Sequence, residues 1–197
     1  MIKLFNKWDV SGIKVEDPGL KDYINLRPVY VLKTGGRNAN MRFWKSKYNI
    51  VERLINKLMI PGHRGKKHKL SSGHCSGKGQ KVTNLVEKAF LIIEKKLNKN
   101  PVEVFVKALE NAAPREEITT IEYGGARYPK AVDCSPQRRV DFTLRMMVQG
   151  AFAKTYKNKK RIEECLAEEI SNAYNLDNKS NAISKKLELE RQAQSSR

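Results

Sequence analysis

The sequence predicts a mainly α-helical protein: a bundle of about six helices with a protruding two-stranded antiparallel β-ribbon between helices 3 and 4, plus an irregular N-terminal extension. Apolar residues recur every three or four positions through most of the chain after residue 48, which is the period of an amphipathic helix. One stretch, centred on a Gly-Gly pair, has the pattern of a β-hairpin. We therefore divide the chain into an N-terminal extension, 1–48, and a helical domain, 49–197.

The N-terminal extension contains few periodic residues. Asp-Pro-Gly at 17–19 and Gly-Gly at 35–36 interrupt it, and only a short helix around 20–24 is indicated. The stretch 33–47, KTGGRNANMRFWKSK, has five Lys or Arg residues and no acidic one, with two aromatic residues among them. We predict that this stretch is an extended arm.

Local signals delimit the first three helices. The first begins after Asn49, which can cap it, and ends at the Pro-Gly pair 61–62. An apolar stripe predicts the second from about 80 to 97. The third begins at the Asn-Pro pair 100–101, with Asn as the cap and Pro in the first helical position, and ends before Pro114.

The β-ribbon is predicted at about 117–133. Two strand-like runs flank Gly124 and Gly125, and a two-residue Gly-Gly connection suits a hairpin with positive φ at both turn positions. Pro129 cannot donate to a strand ladder, so it belongs at an edge. Neither strand has a full apolar face, so the ribbon should project from the helices. A Ser-Pro pair at 135–136 then begins the fourth helix, and two further amphipathic stretches follow, 162–174 and 181–191.

The charge of the chain indicates a polyanionic partner. Thirty-nine Lys and Arg face twenty-one Asp and Glu, a net charge of +18 at pH 7. So large an excess repels itself unless nucleic acid or an anionic membrane balances it. No apolar run is long enough to cross a bilayer, and the first residues lack the apolar core of a secretory signal. Three widely spaced cysteines favour a reducing cytosol, and no catalytic motif is recognisable, so we expect a nucleic-acid-binding protein that is not an enzyme.

The stretch 62–81, GHRGKKHKLSSGHCSGKGQK, has two interpretations. It holds all three histidines and one cysteine, so a zinc-dependent RNA-binding regulatory or processing protein with ligands His63, His68, His74 and Cys75 is the alternative function. The spacing does not match two ligand pairs, because His74 and Cys75 are adjacent. Five glycines and six cations instead favour a loop that contacts phosphates, with no metal or other cofactor.

Two further features point to RNA. Arg138 and Arg139 lie in the first turn of the fourth helix, where a phosphate would bind both the helix terminus and the guanidinium groups. A salt bridge to Asp133 or Asp141 is the alternative for one of them. Aromatic residues also alternate with cations in three stretches, and they can either stack on unpaired bases or cover the helical core. The stretches are 42–48, 123–130 and 154–161.

Several blocks in order resemble the ribosomal protein seven family of the small subunit, in its archaeal and eukaryotic branch. The blocks are KLFNKW (3–8), DPGLKDYINL (17–26), NIVERLINKLM (49–59), KVTNLVEKAFLIIEKK (81–96), NPVEVFVKALENAAPREE (100–117), YGGARYPKAVDCSPQRRVD (123–141), NKKRIEECLAEEI (158–170) and NAISKKLELER (181–191). Shorter members have a compact Gly-Lys-Lys stretch before the second helix, which 65–67 and 77–78 both match in part.

The resemblance implies a structural protein that binds the 3′ major domain of small-subunit rRNA and helps assemble the head, in the cytoplasm. It implies other head proteins and a platform protein as partners, with exit-site tRNA and mRNA nearby, and neither membrane nor DNA. The implied RNA-facing parts are 62–81, 118–133 and 135–139. Together with the basic arm, they give these expected rRNA-binding residues: Arg37, Arg42, Lys45, Lys47, Arg64, Lys66, Lys67, Lys69, Lys78, Lys81, Arg115, Arg127, Lys130, Arg138 and Arg139.

Overall fold

The computed structural model describes residues 2–61 and 78–197. These residues form six α-helices and one antiparallel strand pair, which confirms the predicted fold class. The helices are α1 (Ile50–Leu58), α2 (Gly79–Leu97), α3 (Pro101–Ala112), α4 (Pro136–Thr155), α5 (Ile162–Tyr174) and α6 (Asn181–Ser195). Strands β1 (Glu116–Tyr123) and β2 (Ala126–Asp133) lie between α3 and α4.

Helix α5 is the centre of the bundle, because α2, α3 and α4 all pack against it. The apolar stripes predicted from the sequence meet there. Phe90 of α2, Phe105 of α3, Met147 of α4 and Leu166 of α5 are all fully buried. Each such side chain stabilises the fold by about 1.5–3 kcal/mol relative to exposure, so this contact region holds the helices in place.

Two asparagine caps begin helices and also hold the N-terminal extension. Asn49 accepts a hydrogen bond from the Val51 amide at 2.9 Å and donates to the Arg27 carbonyl at 3.0 Å. Asn100 caps α3 in the same way and donates to the Asp9 carbonyl at 2.7 Å. Ser135 occupies the cap position of α4, but its side chain makes no capping hydrogen bond.

The N-terminal extension is part of the core. Leu4, Trp8 and Leu20 are among its buried residues. The Trp8 ring meets Phe90 of α2 edge-on with the centroids 5.8 Å apart, and its Nε1 donates to Glu94 at 3.1 Å. Such edge-on aromatic pairs add stabilisation beyond the area they bury. The division of the chain into an extension, 1–48, and a helical domain, 49–197, stays a prediction.

The prediction that 33–47 is extended was wrong. The stretch forms successive turns that end in a 3-10 helix, Trp44–Lys47. The Thr34 amide and hydroxyl both donate to Glu52 of α1 at 2.7 Å, and Lys45 pairs with Asp141 of α4. The composition of the stretch suggested an arm without acidic partners, but the partners lie on helices later in the chain.

The β-ribbon has the predicted turn. Gly124 and Gly125 have φ values of 57° and 81°, which only glycine adopts without strain. The ribbon's base is half-buried and contacts α6, whereas both strands are exposed from 119 to 130. Since an isolated two-stranded ribbon is marginally stable in water, its outer part is suited to lie on another molecule.

Arg139 joins three parts of the fold. It is almost completely buried; its Nε donates to the Pro114 carbonyl at 3.1 Å and its Nη2 to Asp17 at 2.7 Å. Burial alone would raise the pKa of Asp17, but the hydrogen bond from Arg139 lowers it below its ordinary value. The guanidinium therefore links the end of α3, the start of α4 and the N-terminal extension.

We expect Arg139→Met to lower the free energy of unfolding by about 2–3 kcal/mol, because it leaves Asp17 and the Pro114 carbonyl without their charged donor. Urea denaturation at neutral pH measures the change. Arg138→Met is the matched control: its side chain is 60% exposed, so its ion pair should contribute no more than about 1 kcal/mol. Equal losses in the two variants would contradict this assignment.

Candidate nucleic-acid interface

A basic groove runs along the first half of α4, between that helix, α1 and the segment before α1. Three adjoining clefts make up this α4 groove, and they share Lys45. The groove is defined by Phe43, Lys45, Arg53, Lys57, Gln137, Arg138, Asp141 and Arg145. Helix α4 carries Arg138, Asp141 and Arg145 at intervals of three and four residues, so these three lie on one face.

Cations outnumber carboxylates in the α4 groove. Asp141 accepts from Arg53 at 2.9 Å and from Lys45. Glu117 of β1, beside the groove, accepts from Arg138 at 2.6 Å. Arg145 and Lys57 form no ion pair with any carboxylate in the described part of the chain. Five cations against two carboxylates leave three positive charges unbalanced.

Burial and neighbouring cations both shift the pKa values of Lys57 and Asp141. Burial, followed by the nearby charge of Arg145, lowers the pKa of Lys57 below its ordinary value. Burial alone would raise the pKa of Asp141, but the hydrogen bonds from Lys45 and Arg53 lower it. A cation crowded by like charges is stabilised by an incoming anion, so the groove is suited to hold phosphate groups.

The two adjacent arginines have separate positions. Arg138 is exposed on the groove, whereas Arg139 points inward to Asp17. Neither pairs with Asp133 or Asp141, the partners that the sequence suggested. Those residues are close in sequence, but the actual partners, Glu117 and Asp17, come from other elements. We therefore take Arg139 out of the proposed phosphate-binding set.

The aromatic residues of the basic stretches are not core residues. Phe43 is 61% exposed, Tyr123 81% and Tyr128 60%. Three rings of these stretches already lie beside cations: Arg42 is 5.8 Å from the centre of the Phe43 ring, Lys47 is 4.2 Å from that of Trp44, and Lys157 is 5.8 Å from that of Tyr156. Exposed rings beside cations can stack on unpaired bases.

The remaining expected contact residues lie on other surfaces or outside the described residues. Arg127 and Lys130 are exposed on the outer β-ribbon, and Arg115 is exposed between α3 and β1. Lys78 and Lys81 are exposed at the start of α2, and Arg37 is exposed in the turns before the groove. Arg64, Lys66, Lys67 and Lys69 lie outside the described residues.

The zinc alternative also concerns residues outside the described part of the chain, since His63, His68, His74 and Cys75 all belong to the undescribed stretch. Over 2–61 and 78–197, no three His, Cys, Asp or Glu side chains come together as a metal site requires. None of the helices described is both long and apolar enough to cross a membrane.

Sequence reasoning missed four residues of the α4 groove, Arg53, Lys57, Gln137 and Arg145. Arg145 follows Asp141 by four positions and Arg138 by seven, a helical spacing that could have placed it on the same face. Lys57 is on the opposite wall, and its local sequence is that of an ordinary solvent-facing lysine. Gln137 is uncharged, so no charge pattern marks it.

The fold and the groove define a small helical protein with a cationic surface and an exposed ribbon. Residues 21–197 match the family described as Ribosomal protein S7p/S5e. The chain belongs to this family of ribosomal proteins, which confirms the resemblance and the expectation that it is not an enzyme.

Two relatives match over the full length of the chain. A small ribosomal subunit protein uS7 of Nanoarchaeum equitans (strain Kin4-M) is 58% identical, covering 100% of this chain and 99% of the relative. A second uS7, of Methanococcus aeolicus (strain ATCC BAA-1280 / DSM 17508 / OCM 812 / Nankai-3), is 49% identical with the same coverage of each chain.

We expect Asp141→Asn to lower the free energy of unfolding by about 1–3 kcal/mol at neutral pH. Because the pKa of Asp141 is lowered in the fold, its carboxylate stabilises the protein above the unfolded-state pKa, and this contribution is lost as the pH falls through the folded-state value. In urea denaturation, the gap between variant and wild type should therefore narrow progressively as the pH falls below the ordinary pKa of an aspartate. Asp22→Asn, an exposed carboxylate, is the control, and a gap that persists in acid would contradict the prediction.

Proposed function

We propose that the protein is a structural component of the small ribosomal subunit that binds the 3′ major domain of small-subunit rRNA and helps assemble the head. Family membership supports the ribosomal role. The structural observation that carries the RNA-binding part is the α4 groove, where five cations face two carboxylates. The phosphates of the RNA would balance the surplus positive charge of the groove. Counterions bound to the RNA would be released, and this release drives association.

The groove holds the RNA backbone in this proposal. Lys45 and Arg138 are engaged by one carboxylate each at the protein surface, so they can turn to phosphate with little loss. Arg145 and Lys57 provide charge that no carboxylate of the described residues neutralises. Arginine forks bind phosphate oxygens in pairs, which fixes the orientation of the strand.

The β-ribbon provides the second RNA-facing surface. Tyr123 and Tyr128 give it exposed rings, and Arg127 and Lys130 give it charge. We propose that it reaches toward the exit-site tRNA and the mRNA path, and that other head proteins and a platform protein are neighbours. The stretch 62–81 would contribute the remaining phosphate contacts, and the site of action would be the cytoplasmic ribosome.

The test is to remove positive charge from the α4 groove. With about 6–10 phosphates neutralised, affinity for a transcript of the 3′ major domain of the organism's own rRNA should fall about 10³–10⁵-fold between 50 and 200 mM salt. The double variant Arg138→Gln and Arg145→Gln should bind more weakly and reduce the slope of log affinity against log salt by about 1.5–2. Filter binding or fluorescence anisotropy across a salt series measures both.

The matched control removes the same charge elsewhere. Lys95 and Lys96 are exposed at the end of α2, and the double variant Lys95→Gln and Lys96→Gln lowers the net charge equally. This control should keep the wild-type slope. Equal slope changes in the two doubles would show that only total charge matters and would contradict the groove as the binding surface.

A further inference from the structure

Gln137 is a buried amide without a partner. It is 5% exposed, and neither its Nε2 nor its Oε1 has a hydrogen-bond partner among the described residues. A buried amide left unpaired destabilises the protein that carries it. Buried polar groups in folded proteins nearly always have a hydrogen-bond partner. A ligand that forms the missing hydrogen bonds would explain the unpaired amide of Gln137.

The surroundings of Gln137 are those of a binding site. It lines two of the clefts of the α4 groove, and Phe43 and Lys45 line both with it. It is the second residue of α4, a helix of 20 residues whose cap residue makes no side-chain hydrogen bond. The first amides of such a helix are free to bind an anion.

Phe43 adds a stacking surface in a strained conformation. Its ring is 61% exposed, and its φ of 65° lies in the left-handed region, which is unfavourable for a bulky residue. Backbone strain of this kind persists where the surrounding structure holds it and concentrates at binding sites. Phe43 lines both of the clefts that Gln137 lines.

We propose that this end of the α4 groove binds one unstacked nucleotide of the rRNA. Its base stacks on Phe43, the Gln137 amide hydrogen-bonds to the base edge, and the adjoining phosphate lies between Lys45, Arg138 and the first amides of α4. The inference rests on the proposed rRNA-binding function and deepens it from backbone contact to recognition of a base. Adenine fits best, because the glutamine amide can donate to its N1 and accept from its N6 amino group along the Watson–Crick edge, which is open in an unpaired base.

Both amide atoms are covered in the structure, so the Gln137 side chain has to turn outward to reach the base. This requirement separates the two roles of the residue. In the free protein the amide is an unpaired group, whereas in the complex it is paired. Replacement by an apolar residue of similar size should therefore stabilise the free protein and weaken the complex.

The experiment compares Gln137→Met and Phe43→Leu with wild type on the 3′ major domain transcript. Each variant should bind about 5- to 100-fold more weakly, the range expected for losing one stacking contact in Phe43→Leu or one bidentate base contact in Gln137→Met. Neither removes a charge, so the slope of affinity against salt should stay at the wild-type value. The Gln137→Met protein should melt at or above the wild-type temperature. Tyr30→Leu, another ring on the same segment, 76% exposed and lining neither cleft, should bind as wild type does.

The nucleotide itself is located by dimethyl sulfate probing of unpaired adenines. One adenine should be protected by wild type and reactive with either variant. An abasic substitution there should weaken wild-type binding at least as much as either variant does, and it should weaken Gln137→Met binding by a smaller factor than wild-type binding, because that variant has already lost one of the two contacts with the base.

Three results would overturn this inference and leave the proposed function standing. In the first, both variants bind the transcript as tightly as wild type does; in the second, no adenine differs in protection between wild type and the variants; in the third, Gln137→Met melts below the wild-type temperature. Wild type that fails to bind the transcript at low salt would instead overturn the proposed function.

Discussion

The scarcity of carboxylates in a strongly cationic chain is the constraint on which the structure depends. With 39 basic and 21 acidic side chains, the fold uses its acids at junctions between elements. Asp17 accepts from Arg139, and Asp141 from Arg53 and Lys45. Glu52 and Glu94 hold the N-terminal extension to α1 and α2. Each acidic side chain that is used at such a junction is unavailable to the cations on the surface. Building the fold therefore leaves positive charge exposed.

Within a single turn, helix α4 carries one residue that stabilises the fold and another that exposes positive charge. Successive residues on a helix point about 100° apart, so Arg139 faces the interior while Arg138 faces the groove. The same geometry puts Gln137 under the groove and Asp141 on its floor, between the cations of α1 and the segment before it. Neighbouring residues of one helix thus serve stability and binding separately, and a substitution at either position affects mainly one of them.

The helical part of the fold could be predicted from the sequence because its signals are local. Asn49 and Asn100 cap the helices that they were predicted to begin, and Gly124 and Gly125 form the predicted turn. The conformation of 33–47 could not be predicted, since it depends on Glu52 and Asp141, which are distant in the sequence. The charged parts of the site were foreseen from composition, but the groove joins walls from α1 and α4 that no local pattern connects.

The N-terminal extension packs against residues that are synthesised much later. Trp8 needs Phe90 and Glu94, and Asp17 needs Arg139. Because translation proceeds from the N-terminus, these early residues leave the ribosome long before their counterparts do. Contacts so distant in sequence form late in folding. Trp8 therefore has its partners once α2 has emerged, whereas Asp17 lacks Arg139 until α4 has emerged, and only then does the α4 groove have both of its walls.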